Sequence, residues 1–413
     1  MQQKEHFKTL SGFGSVHDIP KLPTGFTDVF ESYEIAANGV KLHAVIGGQG
    51  KPLLLLGGWP QNWFAWRYLM LPLARTFTVI AVDPRGVGLS EKAQEGGFGI
   101  LQKDLFKTLS GFGSVHGVPK LPTGFADVFD SYEIAANGVK LHAVIGGQGK
   151  PLLLLGGWPQ NWFAWRYLML PLARTFTVIA VDPRGVGLSE KALQGYDSRT
   201  LAQDMFALMD ALGHESFAMA GHDIGMWTGY AMAHDQPARI ERIALGEALI
   251  PGLSDSPPLL PEQRWLSDFL WHFNFNRALG INEQLVSGRE ELYFGHQFAT
   301  KAGSPEAVPR YAIDFYIEQL KRDPQALRAS FDYYRAIDQS IPQNQQRKAT
   351  RLTLPVLAFS GALACGDSVE AELRTVASNV ESVVIPDCGH YPAEERPEAL
   401  LAAFEAFFAP YAR

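Results

Sequence analysis

Residues 216–234 read SFAMAGHDIGMWTGYAMAH. A short apolar run, 216–220, stops at Gly221-His222-Asp223-Ile224-Gly225, and residues 225–234 continue with helical spacing. The segment is therefore expected to run strand, sharp turn, helix. A turn this tight needs small residues on both sides of its centre, and the two glycines leave that room while lifting the central side chain above the sheet. The central residue is Asp223. Taken alone, such a pentapeptide can be any strand–turn–helix junction, so its surroundings decide how it is read.

Those surroundings alternate in the same way. Residues 152–155 (LLLL) and 176–182 (FTVIAVD) are continuous apolar runs, the pattern of strands buried on both faces. Residues 131–147 carry two alternating runs around Asn137-Gly138, a two-residue hairpin signal. Residues 199–212 have helical spacing and end at Gly213, while 239–245, 354–360 and 380–385 read as strands and 397–408 as a closing helix. From about 251 to 350 the strand pattern yields to helical, aromatic-rich sequence. Alternation of this kind implies an α/β architecture: a mostly parallel sheet flanked by helices, with the helical stretch inserted as a cap.

The N-terminal part is written twice. Residues 3–93 recur at 102–192, an offset of 99, with six differences that include Asp18/Gly117, Ile19/Val118, Thr27/Ala126 and Glu31/Asp130. Solenoid repeats are shorter, diverge, and need about three or more copies, so this pair reads as one tandem duplication. Neither copy holds a nucleophile turn, and each encodes only part of a sheet. One sheet has room for a single set of early strands. Copy two leads straight into 199–212; copy one would have to close a loop longer by 99 residues, a disadvantage of a few kcal/mol because closure entropy grows only as about 1.5RT ln n. Copy two is expected to fill the sheet. Copy one is expected to be loosely docked, partly unfolded or swapped into a neighbour, its apolar strands an aggregation hazard when unpaired. The expected divisions are 1–101 for the redundant segment, 102–250 for the first part of the core, 251–350 for the cap and 351–413 for the last part of the core.

Composition narrows the function classes. The 413 residues are 46% hydrophobic and 12% aromatic, enough for a sizeable core, and the net charge of −7 leaves no basic footprint for nucleic acid. Two cysteines, Cys365 and Cys388, make no disulfide framework and suit a reducing compartment. The first residues lack the apolar run of a secretory signal, and no stretch approaches a spanning helix. A cytoplasmic protein is expected, with no membrane partner.

The choice of Asp at the turn carries chemistry. A serine that attacked an alkyl carbon would leave an ether, which water does not easily cleave; a carboxylate leaves an ester, which a His-activated water can hydrolyse. An Asp there favours displacement at carbon, by opening epoxides or expelling halide. The partners follow in the order nucleophile, acid, His. His390, in PDCGHYPAEERPE, lies between the last strand and the closing helix, outside a strand's carboxyl end. Two acids could orient it, Glu247 in ALGEALIPG and Asp367 in SGALACGDS, and position does not separate them. Gly156-Gly157-Trp158-Pro159 follows the LLLL strand, as Gly57-Gly58-Trp59-Pro60 does in copy one. A glycine turn there can aim the Trp158 N–H at the site, with the Ile224 N–H as second oxyanion donor. Trp271, His272, Phe273, Phe275, Tyr333 and Tyr334 read, from residue type alone, as helical core.

The turn HDIG, the glycine turn (with Gly156 where the family pattern has His) and the late GH resemble the α/β-hydrolase-fold epoxide hydrolases, in particular the Cif-type bacterial group. The likeness covers roughly 131–413 and rests on AGHDIGMW, EALIPG, LWHFNF, ASFDYYRA and DCGHYPAEE. It implies Asp223 as nucleophile, Glu247 as the orienting acid, His390 as general base, and His272 and Tyr334 as donors to the epoxide oxygen. It implies no metal or organic cofactor, a small hydrophobic epoxide as substrate, and a vicinal diol as product; a homodimer stays open. Two other readings stand beside it. A dehalogenase would share the Asp–His–acid core, but haloacetate dehalogenases usually place Arg soon after the nucleophile, where Ile224 and Met226 stand here, and haloalkane dehalogenases commonly place Trp where Ile224 stands. The other is a catalytically impaired binding protein, on account of the duplicated N-terminus.

Overall fold

The structure is a computed structural model of the chain, and it describes all residues except 1–6, 12–14, 38–39, 58–60, 85–86, 91–105, 257, 259 and 413. The Asn38-Gly39 turn and Gly58-Trp59-Pro60 of copy one thus lie outside the described residues. The chain divides into two compact units, Met1–Gln102 and Lys103–Arg413.

The first unit contains a five-stranded sheet. Its strands are β1 (Phe7–Thr9), β2 (Phe30–Ala37), β3 (Val40–Gly47), β4 (Lys51–Leu56) and β5 (Phe77–Val82), in the order β1-β2-β3-β5-β4. A small core of Val16, Phe26, Phe30, Val45, Trp63, Met70, Val79 and Ala81 closes one face. Strand β4 pairs only with β5 and forms an edge of the sheet.

The second unit contains a nine-stranded sheet. It begins with β6 (Lys107–Thr108), β7 (Phe129–Ala136), β8 (Val139–Gly147), β9 (Lys150–Leu155) and β10 (Phe176–Asp182). It continues with β11 (Phe217–His222), β12 (Ile240–Gly246), β13 (Val356–Gly361) and β14 (Val380–Ile385). The order is β14-β13-β12-β11-β9-β10-β8-β7-β6. Six strands, from β14 to β10, run parallel, and β8, β7 and β6 add an antiparallel edge. The strands between are reached through helices, as parallel pairing requires. Ser198–Ala211, capped by Asp197 through the Thr200 N–H at 3.2 Å, precedes β11; Ile224–Asp235 leads from β11 to β12.

Between β12 and β13 the chain makes six consecutive helices, Arg264–Arg277, Ile281–Val286, Glu290–Lys301, Arg310–Arg322, Pro324–Arg335 and Ile337–Arg347. They form the helical insertion, and β13 and β14 then complete the sheet before the helix Pro397–Ala412. One buried ion pair spans most of this unit in sequence: Arg166 makes two bonds of 2.7 Å to Glu394, whose other neighbour is the Tyr316 hydroxyl. No helix among the described residues is long and apolar enough to cross a membrane.

Candidate active site

Asp223 joins β11 to the helix Ile224–Asp235 with φ 52° and ψ −117°, a conformation that costs a non-glycine residue about 1–3 kcal/mol. The surroundings hold it there. Its N–H donates to the Gly246 carbonyl at 2.9 Å, and its own carbonyl accepts the Met226 N–H at 2.9 Å. Gly157 presses against it from the turn after β9. A β-carbon at position 157 would lie 2.5 Å from the Asp223 β-carbon, so only glycine allows this approach. The Ile224 N–H is the first of its helix and has no helical acceptor.

His390 stands over the nucleophile. Its Nε2 is 3.3 Å from Asp223 Oδ2, and its Nδ1 is 3.0 Å from Glu247 Oε2. Glu247 follows β12, and its second oxygen accepts the Gly361 N–H at 2.6 Å, which fixes the carboxylate. Asp367, the other acid compatible with the sequence, is exposed at the start of the helix Ser368–Val376. Burial works against a charged ring at 390. The bonds and charges of Asp223 and Glu247 outweigh it and hold the imidazolium up to about 9.

The loop that carries His390 is itself pinned. Glu395 accepts the N–H groups of Gly389 and Gly303 on one oxygen, both at 2.8 Å, and that of Tyr391 on the other at 2.9 Å. The Lys301 carbonyl accepts the His390 N–H at 2.9 Å. Gly389 lets the end of the cap helix come this close, since a β-carbon there would sit 2.2 Å from the Gly303 nitrogen. His222 donates from Nε2 to the His390 carbonyl at 2.7 Å; burial and the neighbouring His390 push its own titration down to about 4, so it stays neutral.

The cap supplies the opposite wall. Trp158 stacks on His272 with ring centroids 5.6 Å apart and 14° between planes, and Tyr334 meets both rings edge-on at 5.3 and 5.5 Å. The Trp158 indole N–H donates to Ser330, one helical turn before Tyr334, at 2.6 Å. Burial first, and the charge of Asp223 second, hold the Tyr334 phenol well above its ordinary range, so it is a hydroxyl donor throughout the working pH range. Tyr333 points elsewhere, its hydroxyl donating to the Arg184 carbonyl at 2.6 Å. A cavity of about 40 Å³ lies beside this wall, lined by Trp158, Ile224, Tyr316, Ser330 and Tyr333 among others.

His272 differs from its sequence expectation in one respect. Its Nδ1 lies 3.1 Å from the Phe269 carbonyl and its Nε2 2.9 Å from Lys301 Nζ. Both ring nitrogens are engaged, and neither N–H position is left for a substrate oxygen. The reason is local: a ring on a helix can bond the carbonyl three residues back, and the lysine meets the other edge. Lys301, Glu395 and His222 were not singled out from sequence. His222 adjoins the nucleophile, which is a signal of sorts. Lys301 in FATKAG and Glu395 in PAEERPE carry none, because a lone charge on a helix ordinarily faces solvent. Among the described residues no cluster of His, Cys, Asp and Glu is arranged to hold a metal ion.

The chain is similar to known proteins. A family profile described as alpha/beta hydrolase fold matches residues 51–139 and 150–397. The soluble epoxide hydrolase of Corynebacterium sp. (strain C12) is 33% identical over 289 residues, covering 68% of this chain and 97% of that protein. The fluoroacetate dehalogenase of a Burkholderia species is 29% identical over 288 residues, covering 66% and 92%. The crystal structure of the Cif epoxide hydrolase from Acinetobacter nosocomialis superposes with a TM-score of 0.64 at 26% identity, over 70% of this chain and 90% of that one.

Proposed function

Because the chain belongs to the alpha/beta hydrolase fold family, we propose that this enzyme opens epoxides to vicinal diols through an ester on Asp223. The observation that carries the reading is one histidine bonded to two carboxylates, Asp223 at the strained turn and Glu247 behind the ring. The relatives named epoxide hydrolases support the substrate class.

Asp223 attacks an epoxide carbon and the ring C–O bond breaks toward the oxygen. Tyr334, kept as a neutral phenol, donates to that oxygen, and one well-placed donor of this kind contributes about 2.7–4 kcal/mol. In the free enzyme His390 is held protonated by the two carboxylates. Esterification removes the Asp223 charge, and with it part of what keeps His390 protonated, so the ring becomes a base at the stage when a base is needed. It then takes a proton from water, which attacks the ester carbonyl, and the Trp158 and Ile224 N–H groups receive the oxyanion. Glu247 keeps the imidazole oriented.

Displacement of halide is the second reading, since the same three residues could perform it and one relative is named a fluoroacetate dehalogenase. Ile224 and Met226 offer no cation beside the nucleophile for a haloacid. The experiment is a panel of styrene-oxide-like epoxides and fluoroacetate assayed side by side for diol and for fluoride, with Asp223→Asn as control. Diol from the native chain and none from the variant is expected. Fluoride without diol would replace the reading by the second, and steady diol from the variant would remove the nucleophile.

A further inference from the structure

Lys301 closes the helix Glu290–Lys301, and its side chain runs inward rather than to solvent; the residue is 6% exposed. Its Nζ is 2.9 Å from His272 Nε2, 5.4 Å from the centre of the Trp158 ring and 5.8 Å from that of Phe269. Trp158 also contacts Tyr334, and Phe269 also contacts His390, with centroids 6.3 Å apart. The amine is therefore enclosed by the rings that wall the nucleophile, the phenol and the base. Among the described residues no carboxylate lies within ion-pair distance of it. A buried cation with no fixed counter-ion is costly, and such a cost at a reaction centre calls for a chemical reason.

We propose that Lys301 is the acid that protonates the opening epoxide and that His272 aims it, an inference that rests on the epoxide reading above. An imidazole whose Nδ1–H is spent on the Phe269 carbonyl presents a lone pair at Nε2, and that lone pair can only accept. It accepts from Lys301. Stacking on Trp158 keeps the ring in that plane. His272 is then a positioning residue, and the ammonium retains two further N–H bonds for a substrate.

Asp223 bonds to the epoxide carbon, the C–O electron pair moves to oxygen, and the oxygen takes a proton from the Lys301 ammonium, leaving a neutral amine. With Asp223 esterified, the His390 imidazolium gives its proton to solvent; water then gives one proton to the neutral His390 and attacks the ester. The acyl C–O bond breaks, His390 returns its proton to the leaving diol oxygen, and the Asp223 carboxyl releases its proton to solvent. The amine and, once Asp223 is charged again, the His390 imidazole each recover a proton from solvent.

His272 on one cap helix bonds the amine directly, and the charges that act on Lys301 are those of Asp223 on the strained turn and Cys365 after β13. Burial lowers the amine and Asp223 and Cys365 restore part of the loss, leaving it near about 7. His272 is driven well below its ordinary value by burial, then by Lys301 and His390, so it does not compete as the acid. Ring opening should therefore weaken as pH rises through about 7, as the ammonium is lost.

The test reads the Asp223 ester directly, by mass, after rapid mixing with styrene oxide at pH values on either side of 7, for the native chain and Lys301→Met. In the native chain the rate of ester formation should fall about tenfold per pH unit above about 7. In the variant it should be about 100-fold lower or more, the scale of general acid catalysis, and flat with pH, while hydrolysis of the ester is unchanged. Methyl 4-nitrobenzenesulfonate, whose leaving group needs no proton, should label Asp223 equally in both and so reports on folding. Equal ester formation in both chains, or equal losses with epoxide and sulfonate, would assign Lys301 a packing role and overturn the proposal. A native chain that forms no Asp223 ester overturns the epoxide reading itself.

Discussion

The sequence KPLLLL occurs twice, and the two occurrences meet different fates. In the second unit it forms β9, between β10 and β11, and Leu152, Leu153, Leu154 and Leu155 are all 0% exposed. In the first unit it forms β4, an edge strand, and Leu54 and Leu56 are 57% and 56% exposed. Local structure is not the difference. His43 bonds Asp83 at 2.9 Å and Ser32 at 3.1 Å, as His142 bonds Asp182 at 2.7 Å and Ser131 at 3.0 Å. The early strands thus fold by their own hydrogen bonds, whereas burial of their outer face is conferred by whatever is built against it. Only copy two is followed directly by β11 and its helices.

The sharpest break between the copies is at one arginine. Arg166 lies against Glu394, both side chains 0% exposed, and Arg166→Ala should destabilise the second unit by about 3–5 kcal/mol, because a buried carboxylate is left unpaired. Arg67, its equivalent, has no carboxylate within reach among the described residues, and Arg67→Ala should leave the main thermal transition unmoved. Calorimetry of the two variants checks both statements.

Leucine truncations come next. Leu155→Ala should cost about 2–5 kcal/mol as a core deletion, and Leu56→Ala at most about 0.5 kcal/mol as a surface change. In a chain lacking residues 94–192, copy one adjoins residue 193 directly. There Leu56→Ala should cost what Leu155→Ala costs in the full chain, by urea titration. If Leu56 stayed cheap to truncate, context would not be what separates the copies.

Gly157→Ala should lower turnover about 100-fold by displacing Asp223, the scale expected of a misplacement near 1 Å, while Gly58→Ala should leave it unchanged. The smallest effect belongs to removal of a whole copy. Chains without 3–101 or without 94–192 should each keep the diol-forming rate within about twofold, as surface differences seldom exceed about 0.5 kcal/mol. Loss of rate in one deletion only would show that the six differing positions matter.

Much of this was legible beforehand. The runs at 152–155 and 176–182 are legible as strands from their continuous apolar character, 380–385 from its β-branched residues, and the helix after Asp223 begins where the glycines permit. The strand at 380–385 stands where the sequence places it, and the closing helix, expected over 397–408, runs on to Ala412. Position alone leaves the acid partner open, since Glu247 and Asp367 both follow strands; the family resemblance points to Glu247, which lies 3.0 Å from His390 Nδ1. Lys301 was hidden for a stronger reason. Its burial is decided by Trp158 and Phe269, distant in sequence, while its own helix is polar enough to suggest a solvated lysine. The split fate of the two leucine runs could not be read at all, since identical letters carry no record of their neighbours.

The carboxylate of Glu395 receives N–H groups from both Gly303, past the end of a cap helix, and Gly389, beside the base. Lifting that corner of the cap would forfeit bonds to a charged acceptor, about 1.5–3 kcal/mol apiece, and would drag the imidazole out of line with its two acids. A hinge placed there would disarm the enzyme each time it opened.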